Sequence, residues 1–291
     1  MPQTAFVRWA CLATLASLCA VAAPANNKGK IETMGVVKRV EVYKTIGDVE
    51  LKIHIYEKEN RDRTIPAPAI VFFFGGGWVG GSPSQFFHHC EHLASEGMVA
   101  MSAEYRIFSK HKTTPFECVQ DGKSAIRWVR THAKELGVDP DRVAAGGGSA
   151  GGHVGACTGV IEGHEEPGED TTISSVPNAM VLFNPVMDTT AKGYGASKVK
   201  DRETEISPCH HVRAGIPPTL IFHGTADTTV PFENIERFQS LMKEAGNTCE
   251  VLPFEGKAHG FFNYGRDPDN ASYNATIKRM DEFLTKLKFL P

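Results

Sequence analysis

The sequence predicts an α/β fold: a mostly parallel, twisted sheet of about eight strands flanked by helices. Three observations predict it. Short strand-like runs recur at Ala69–Phe74, Met98–Glu104, Val143–Ala145, Ala179–Phe183, Thr219–Phe222 and Glu250–Leu252. Helical periodicity separates most of them. The run Ala69-Ile-Val-Phe-Phe-Phe74 is apolar throughout, as a strand covered on both faces is. Ahead of these runs, Val40–Tyr43 and Val49–Ile55 alternate apolar and polar residues around Ile46-Gly47-Asp48, which reads as a hairpin opening the sheet. Residues 84–96 read as a helix. Residues 115–136 read as another, with Val119, Ile126, Val129, Ala133 and Leu136 on one stripe. Further helices are expected from about Ala150, over Phe232–Ala245, and near 271–288. Segments 162–177 and 188–216 carry no clear periodicity; either could cover a site, and neither is long enough to be a separate domain. Active residues in such a sheet belong at the carboxyl ends of strands.

The 291 residues suit one large domain, here read as 23–291. A net charge of −3 leaves no electrostatic footprint for nucleic acid. At the N-terminus, Arg8 precedes an apolar run from Trp9 to Ala23, and Ala20-Val21-Ala22 has the small residues of a processing site. Residues 1–22 therefore read as a signal peptide, too short for a confident membrane span. The expected destination is secreted or periplasmic, without stable membrane insertion. Removing that leader removes Cys11 and Cys19. Cys90, Cys118, Cys157, Cys209 and Cys249 remain, an odd set in which at least one thiol is unpaired or joins chains. An oxidising compartment would permit one or two disulfides.

The most informative stretch is Gly147-Gly148-Ser149-Ala150-Gly151, a G-x-S-x-G placed between a buried strand and a helix. That is the nucleophile-elbow pattern, which lifts a serine hydroxyl above the sheet. A neutral serine needs a base, and the base needs an orienting carboxylate. Asp227 in His223-Gly-Thr-Ala-Asp227 and His259 in Gly256-Lys-Ala-His-Gly260 both fall just past strand ends, in the order Ser, Asp, His. Phe74-Gly75-Gly76-Gly77-Trp78 follows the first buried strand. Its successive glycines let backbone N–H groups turn toward a developing oxyanion.

These motifs together resemble a known family. The Gly75-Gly76-Gly77-Trp78 loop, Glu104-Tyr105-Arg106, Asp121 with Ala125–Trp128, Asp139–Arg142, the Ser149 elbow, Asn184-Pro185-Val186, His223–Asp227 and His259-Gly260-Phe261 look like α/β-hydrolase fold esterases. The nearest group is the acetyl-esterase and hormone-sensitive-lipase-like one, close to bacterial feruloyl-esterase-like enzymes. The resemblance covers about residues 35–289. It implies that Gly76, Gly77 and Ala150 supply oxyanion N–H groups, and that Asp121 and Arg127 are structural. Such loops usually open on His, where this chain has Phe74; altered geometry or tuning is expected, with the backbone donors kept. The large helical cap of many relatives has no counterpart here, which implies a more open site. Trp78 and Phe261, next to the expected catalytic atoms, are candidates to bind substrate.

His88-His89-Cys90-Glu91-His92 fits a zinc-peptidase spacing, but zinc chemistry would need a third, distant ligand and a water site of its own, and the cluster is expected to face solvent. Cys209-His210-His211 reads as a surface loop. No metal and no cofactor is expected. The sequence thus predicts a secreted serine ester hydrolase, with Ser149, His259 and Asp227 as its triad. Its expected substrates are short-chain or aromatic acyl esters, small or polysaccharide-linked. The alternatives are a serine peptidase or lipase on the same fold, or a catalytically silent binding protein.

Overall fold

A computed structural model describes residues 1–2 and 35–291. The leader read at 1–22 falls, past its first two residues, outside the described part, as do Cys11 and Cys19. Eight strands form one sheet: β1 (Val36–Ile46), β2 (Val49–Lys58), β3 (Ala67–Phe73), β4 (Val99–Ala103), β5 (Val138–Gly148), β6 (Ala179–Phe183), β7 (Thr219–Gly224) and β8 (Cys249–Phe254). Their spatial order is β1-β2-β4-β3-β5-β6-β7-β8. The β1–β2 hairpin is antiparallel and β2 joins β4 antiparallel; every pair from β4 to β8 is parallel. The chain leaves β3 to one side for β4 and returns to its other side for β5. In an open parallel sheet that reversal leaves a crevice beyond the carboxyl ends of the strands.

The helices are α1 (Phe87–Ser95), α2 (Phe108–His111), α3 (Pro115–Thr131), α4 (Ala133–Leu136), α5 (Ala150–Val160), α6 (Ala196–Val199), α7 (Phe232–Glu244) and α8 (Ala271–Lys286). Helix α3 starts on a capping box between Thr114 and Glu117 with Pro115 in its first turn, which satisfies backbone donors that the helix leaves free. The single helix expected over 115–136 is two pieces. His132 leaves the helical region at φ −99° and ψ 14°, and Gly137 (φ 60°) caps the short α4 before β5. The Val119–Leu136 stripe is nonetheless wholly buried.

Helix α5 is buried along its whole length, sandwiched between the sheet and α3. The segment 162–177 is fastened to the α3 side of the molecule. Glu165 pairs with Lys123 (2.8 Å) and Arg127 (2.6 Å), and Glu166 with Lys44 (2.8 Å) and Arg106 (2.6 Å). Asp121 binds Lys44 and Arg106 beneath them, at 2.7 and 2.8 Å. Asp121 and Arg127 thus tie α3 to its surroundings. Each buried cation here meets a carboxylate, the condition under which a charge survives burial.

The five described cysteines are all free. Cys209, expected on the surface, is buried, and burial pushes its thiol up to about 12. Among the described residues no helix is long and apolar enough to cross a membrane.

Candidate active site

Strands β3, β5, β6, β7 and β8 each deliver one part of the site at their carboxyl ends. Ser149 stands between β5 and α5 with φ 56° and ψ −122°, a left-handed conformation rare for a residue with a side chain. The elbow is this tight because α5 must start directly against β3. A methyl group on Gly151 would overlap the carbonyl oxygens of Phe73 and Phe74, so only glycine fits there. The Ser149 N–H is held by the Phe183 carbonyl at 2.8 Å, which ties the elbow to the end of β6.

The structure brings the three candidate residues together. His259 Nε2 is 2.9 Å from Ser149 Oγ, and His259 Nδ1 is 2.7 Å from Asp227 Oδ2. Asp227 is saturated with donors. Its Oδ1 accepts the N–H groups of Thr229 (2.8 Å) and Val230 (3.0 Å); its Oδ2 also accepts Asn184 Nδ2 at 3.0 Å. His223 Nε2 lies a further 3.3 Å from that oxygen while bonded to the Val230 carbonyl. Burial alone would raise the Asp227 pKa. The hydrogen bonds from His259, Val230 and Thr229 outweigh it and hold the carboxyl below the usual carboxylate range. A permanently charged acceptor behind His259 fixes which ring nitrogen carries the proton and leaves Nε2 as the base facing Ser149.

The glycine loop passes the serine at Gly75, where a methyl group would come 3.2 Å from Ser149 Cβ. Gly76 (φ 129°) and Gly77 (φ 61°) follow in backbone conformations that favour glycine. Neither N–H meets a backbone acceptor among the described residues, and the Ala150 N–H is a free donor of the first turn of α5. Phe74, standing where His is usual, stacks on Tyr105 at 4.3 Å, and the Tyr105 hydroxyl donates to the Phe74 carbonyl at 2.6 Å. The stack and this hydrogen bond hold Phe74 at the start of the glycine loop. A second brace runs from the Gly75 N–H to Gln85 Oε1 (2.6 Å), from Gln85 Nε2 to Asn263 Oδ1 (2.9 Å), and from Asn263 Nδ2 to the Gly260 carbonyl (2.8 Å). It links the glycine loop to the histidine loop.

A family model described as BD-FAE matches residues 53–242. The chain belongs to this family of α/β-hydrolase esterases. The apo form of Thermogutta terrifontis esterase 2 is 52% identical, with a TM-score of 0.84, covering 87% of this chain and 96% of that one. The same esterase has been solved with propionate bound, with butyrate bound, and phosphorylated by paraoxon. Esterase LipC of Mycobacterium tuberculosis is 28% identical over 68% of this chain and 54% of its own length. A probable isoprenylcysteine alpha-carbonyl methylesterase of Arabidopsis thaliana is 29% identical over 68% of this chain and 46% of its own. The chain therefore spans about half the length of these two curated relatives.

Within this BD-FAE frame, two expected substrate contacts are placed differently from each other. Trp78 is buried, edge-on to His153 at 5.1 Å, yet it also lines a cavity of about 320 Å³ that begins at Gly77. Phe261 is a correction. It is buried against Phe254 (4.5 Å) and Phe262, because Gly260 (φ 76°) turns the chain so that both aromatic side chains enter the core. The histidine cluster on α1 also differs from expectation. His89 and Cys90 point inward, His88 pairs with Glu91, and His92 binds Asp281 at 2.8 Å. Sequence reasoning missed Gln85 and Asn263 as site residues, and it noticed His223 only within the motif that carries Asp227. Asn184 was noticed only as part of a motif, although an Asn directly after a buried strand, here at φ 43°, is a signal of a special turn.

Proposed function

We propose that this chain hydrolyses carboxylic esters with short acyl groups through a covalent acyl-enzyme at Ser149. The observation that carries the reading is the continuous hydrogen-bonded line from Asp227 through His259 to Ser149 Oγ. In this reading His259 Nε2 takes the hydroxyl proton as Ser149 Oγ attacks the ester carbonyl, and Asp227 stabilises the imidazolium that forms. The N–H groups of Gly76, Gly77 and Ala150 receive the oxyanion, with the N-terminal end of α5 adding favourable potential. His259 then protonates the leaving alcohol. Water, deprotonated by the same nitrogen, releases the acid and restores Ser149.

Propionate and butyrate on the Thermogutta esterase support a small acyl group. Its phosphorylation by paraoxon supports a nucleophile that organophosphorus esters trap. The leader read at 1–22 supports action outside the cytoplasm, where acetyl or feruloyl groups on plant polysaccharide are accessible esters. The test is covalent. A fluorophosphonate should label the native protein once, at Ser149 by peptide mass, and Ser149→Ala should lose roughly 10⁴-fold or more in kcat. An active Ser149→Ala variant, or a label elsewhere, would remove the mechanism.

A further inference from the structure

The cavity of about 320 Å³ beside Gly77 contains a cation that the rest of the site does not explain. Its walls include Trp78, Phe108 and Pro115, and Lys198 and Lys200 also line it. Lys198 is half-buried. Its Nζ donates to the Gly77 carbonyl at 3.2 Å, its one hydrogen bond among the described residues, and lies over the rings of Tyr194 (5.4 Å) and Trp78 (6.0 Å). An ammonium has three protons to donate. The buried cations Lys44, Lys123, Arg106 and Arg127 each meet a carboxylate, and half-buried Arg130, which meets none, is covered by the Pro140 and Ser174 carbonyls and the Asn178 side-chain oxygen. Lys198 meets none among the described residues, in a cavity whose walls are mainly apolar. A cation so placed gains more from an incoming anion than a solvated surface lysine does, because less water screens it.

Its position ties it to the glycine loop. A methyl group on Gly77 would come 2.9 Å from the Tyr194 hydroxyl and 3.4 Å from Lys198 Nζ, so both groups stand against the residue proposed to bind the oxyanion. The segment 188–216 holds them there. Gly195 packs so closely on the Trp78 ring that a methyl group would come within 2.6 Å of it.

We propose that this cavity is a subsite for a carboxylate carried by the ester substrate, received by Lys198 with Lys200 nearby. The proposal rests on the esterase reading and narrows it to acidic esters. The carboxylate could belong to the alcohol side or to the acyl side, and two substrate pairs separate these. On the alcohol side, 4-acetoxybenzoate is compared with neutral 4-acetoxybenzamide. On the acyl side, the 4-nitrophenyl monoester of succinate is compared with 4-nitrophenyl 4-oxopentanoate. Each kcat/KM is first divided by the rate with hydroxide. In the native protein one pair should favour the acid. That ratio should fall on the order of tenfold in Lys198→Met, the worth of one charge-assisted hydrogen bond, and recover in Lys198→Arg. It should also fall as sodium chloride is raised. Lys243→Met, on α7 and outside the cavity, should leave it unchanged.

A native ratio at or below one for both pairs would overturn the proposal. So would equal losses on acidic and neutral esters in Lys198→Met, which would make Lys198 a brace for Gly77 only. Fluorophosphonate titration of Ser149 counts intact sites in every variant. Stoichiometric labelling with turnover of the neutral esters keeps the esterase reading even where the subsite fails.

Discussion

Acidification from about pH 7.5 to about pH 5.0 should cost this fold about 4 kcal/mol through His89 and His153, and His89→Met should recover about half of that loss. Both imidazoles are fully buried. The His89 ring lies among Phe86 (5.0 Å), Phe183 (5.3 Å) and Tyr273 (4.9 Å), and neither of its nitrogens has a partner. Burial pushes its pKa down to about 3. Burial also pushes His153 down to about 4, against the opposing hydrogen bond to the Ile206 carbonyl. In the unfolded chain both titrate near 6.5. The unfolded state therefore binds protons first as pH falls, so the stability is complete above about 6.5 and is lost below it. At pH 5.0 the unfolded imidazole is about 1.5 units below its pKa, which at 1.36 kcal/mol per unit costs about 2 kcal/mol per histidine. Both folded values lie below 5, so the loss does not depend on their exact size. Met at position 89 removes one such term, together with two unpaired ring nitrogens, so its stability at pH 7.5 should match or exceed the native value. Urea unfolding followed by fluorescence, at both pH values and for both proteins, measures the difference and cancels every other titrating group. Equal losses in native protein and variant would refute the reasoning, since His89 would then titrate alike folded and unfolded.

Asp227→Asn should lower kcat on the order of 10³-fold or more, by analogy with other triads. Asp188→Asn should mainly cost stability, because buried Asp188 binds Arg237 at 2.8 Å and has no contact with His259; steady-state kinetics beside melting temperatures separate the two. Asn184→Asp would place a second carboxylate about 3 Å from Asp227, where both cannot stay ionised; kcat at pH 7 should drop at least about tenfold while KM changes little. Across 4-nitrophenyl esters, kcat/KM should peak between acetyl and butyryl and fall steeply by octanoyl. A maximum at ten carbons or more would show a lipase-type pocket.

The parallel strands were legible because they are covered on both faces, which leaves pure apolar runs such as Ala69–Phe74 and Ala179–Phe183. Strand β5 was legible only at its core. Its opening stretch, Asp139–Arg142, is part-exposed and mostly polar, and the strand reaches back to Val138, which is buried and pairs with Ala67. Pairing between residues so far apart leaves no periodicity to read. The break at His132 was hidden for a similar reason, since the buried stripe continues through it. Cys209 is buried although it sits in an irregular segment, because segment 188–216 packs onto α5 and α7, and a loop's burial depends on its partners and not on its own pattern.

At the site, the legible residues were those whose chemistry demands a particular type at a particular strand end. Ser149, Asp227 and His259 occupy such places, and position 151, just after the elbow, tolerates nothing larger than glycine. The supporting groups obey a weaker rule. Gln85 and Asn263 are needed only because the Gly75 N–H and the Gly260 carbonyl must find partners in a crevice, and many side chains on many elements could meet that need. Lys198 lay further still from view. A lysine in a polar loop reads as solvated, and nothing in the sequence says that this one lies over Trp78 with no carboxylate beside it. The subsite proposed here lies where an irregular segment folds back onto the glycine loop. One of its contacts is the close packing of Gly195 on the Trp78 ring, which no local pattern encodes.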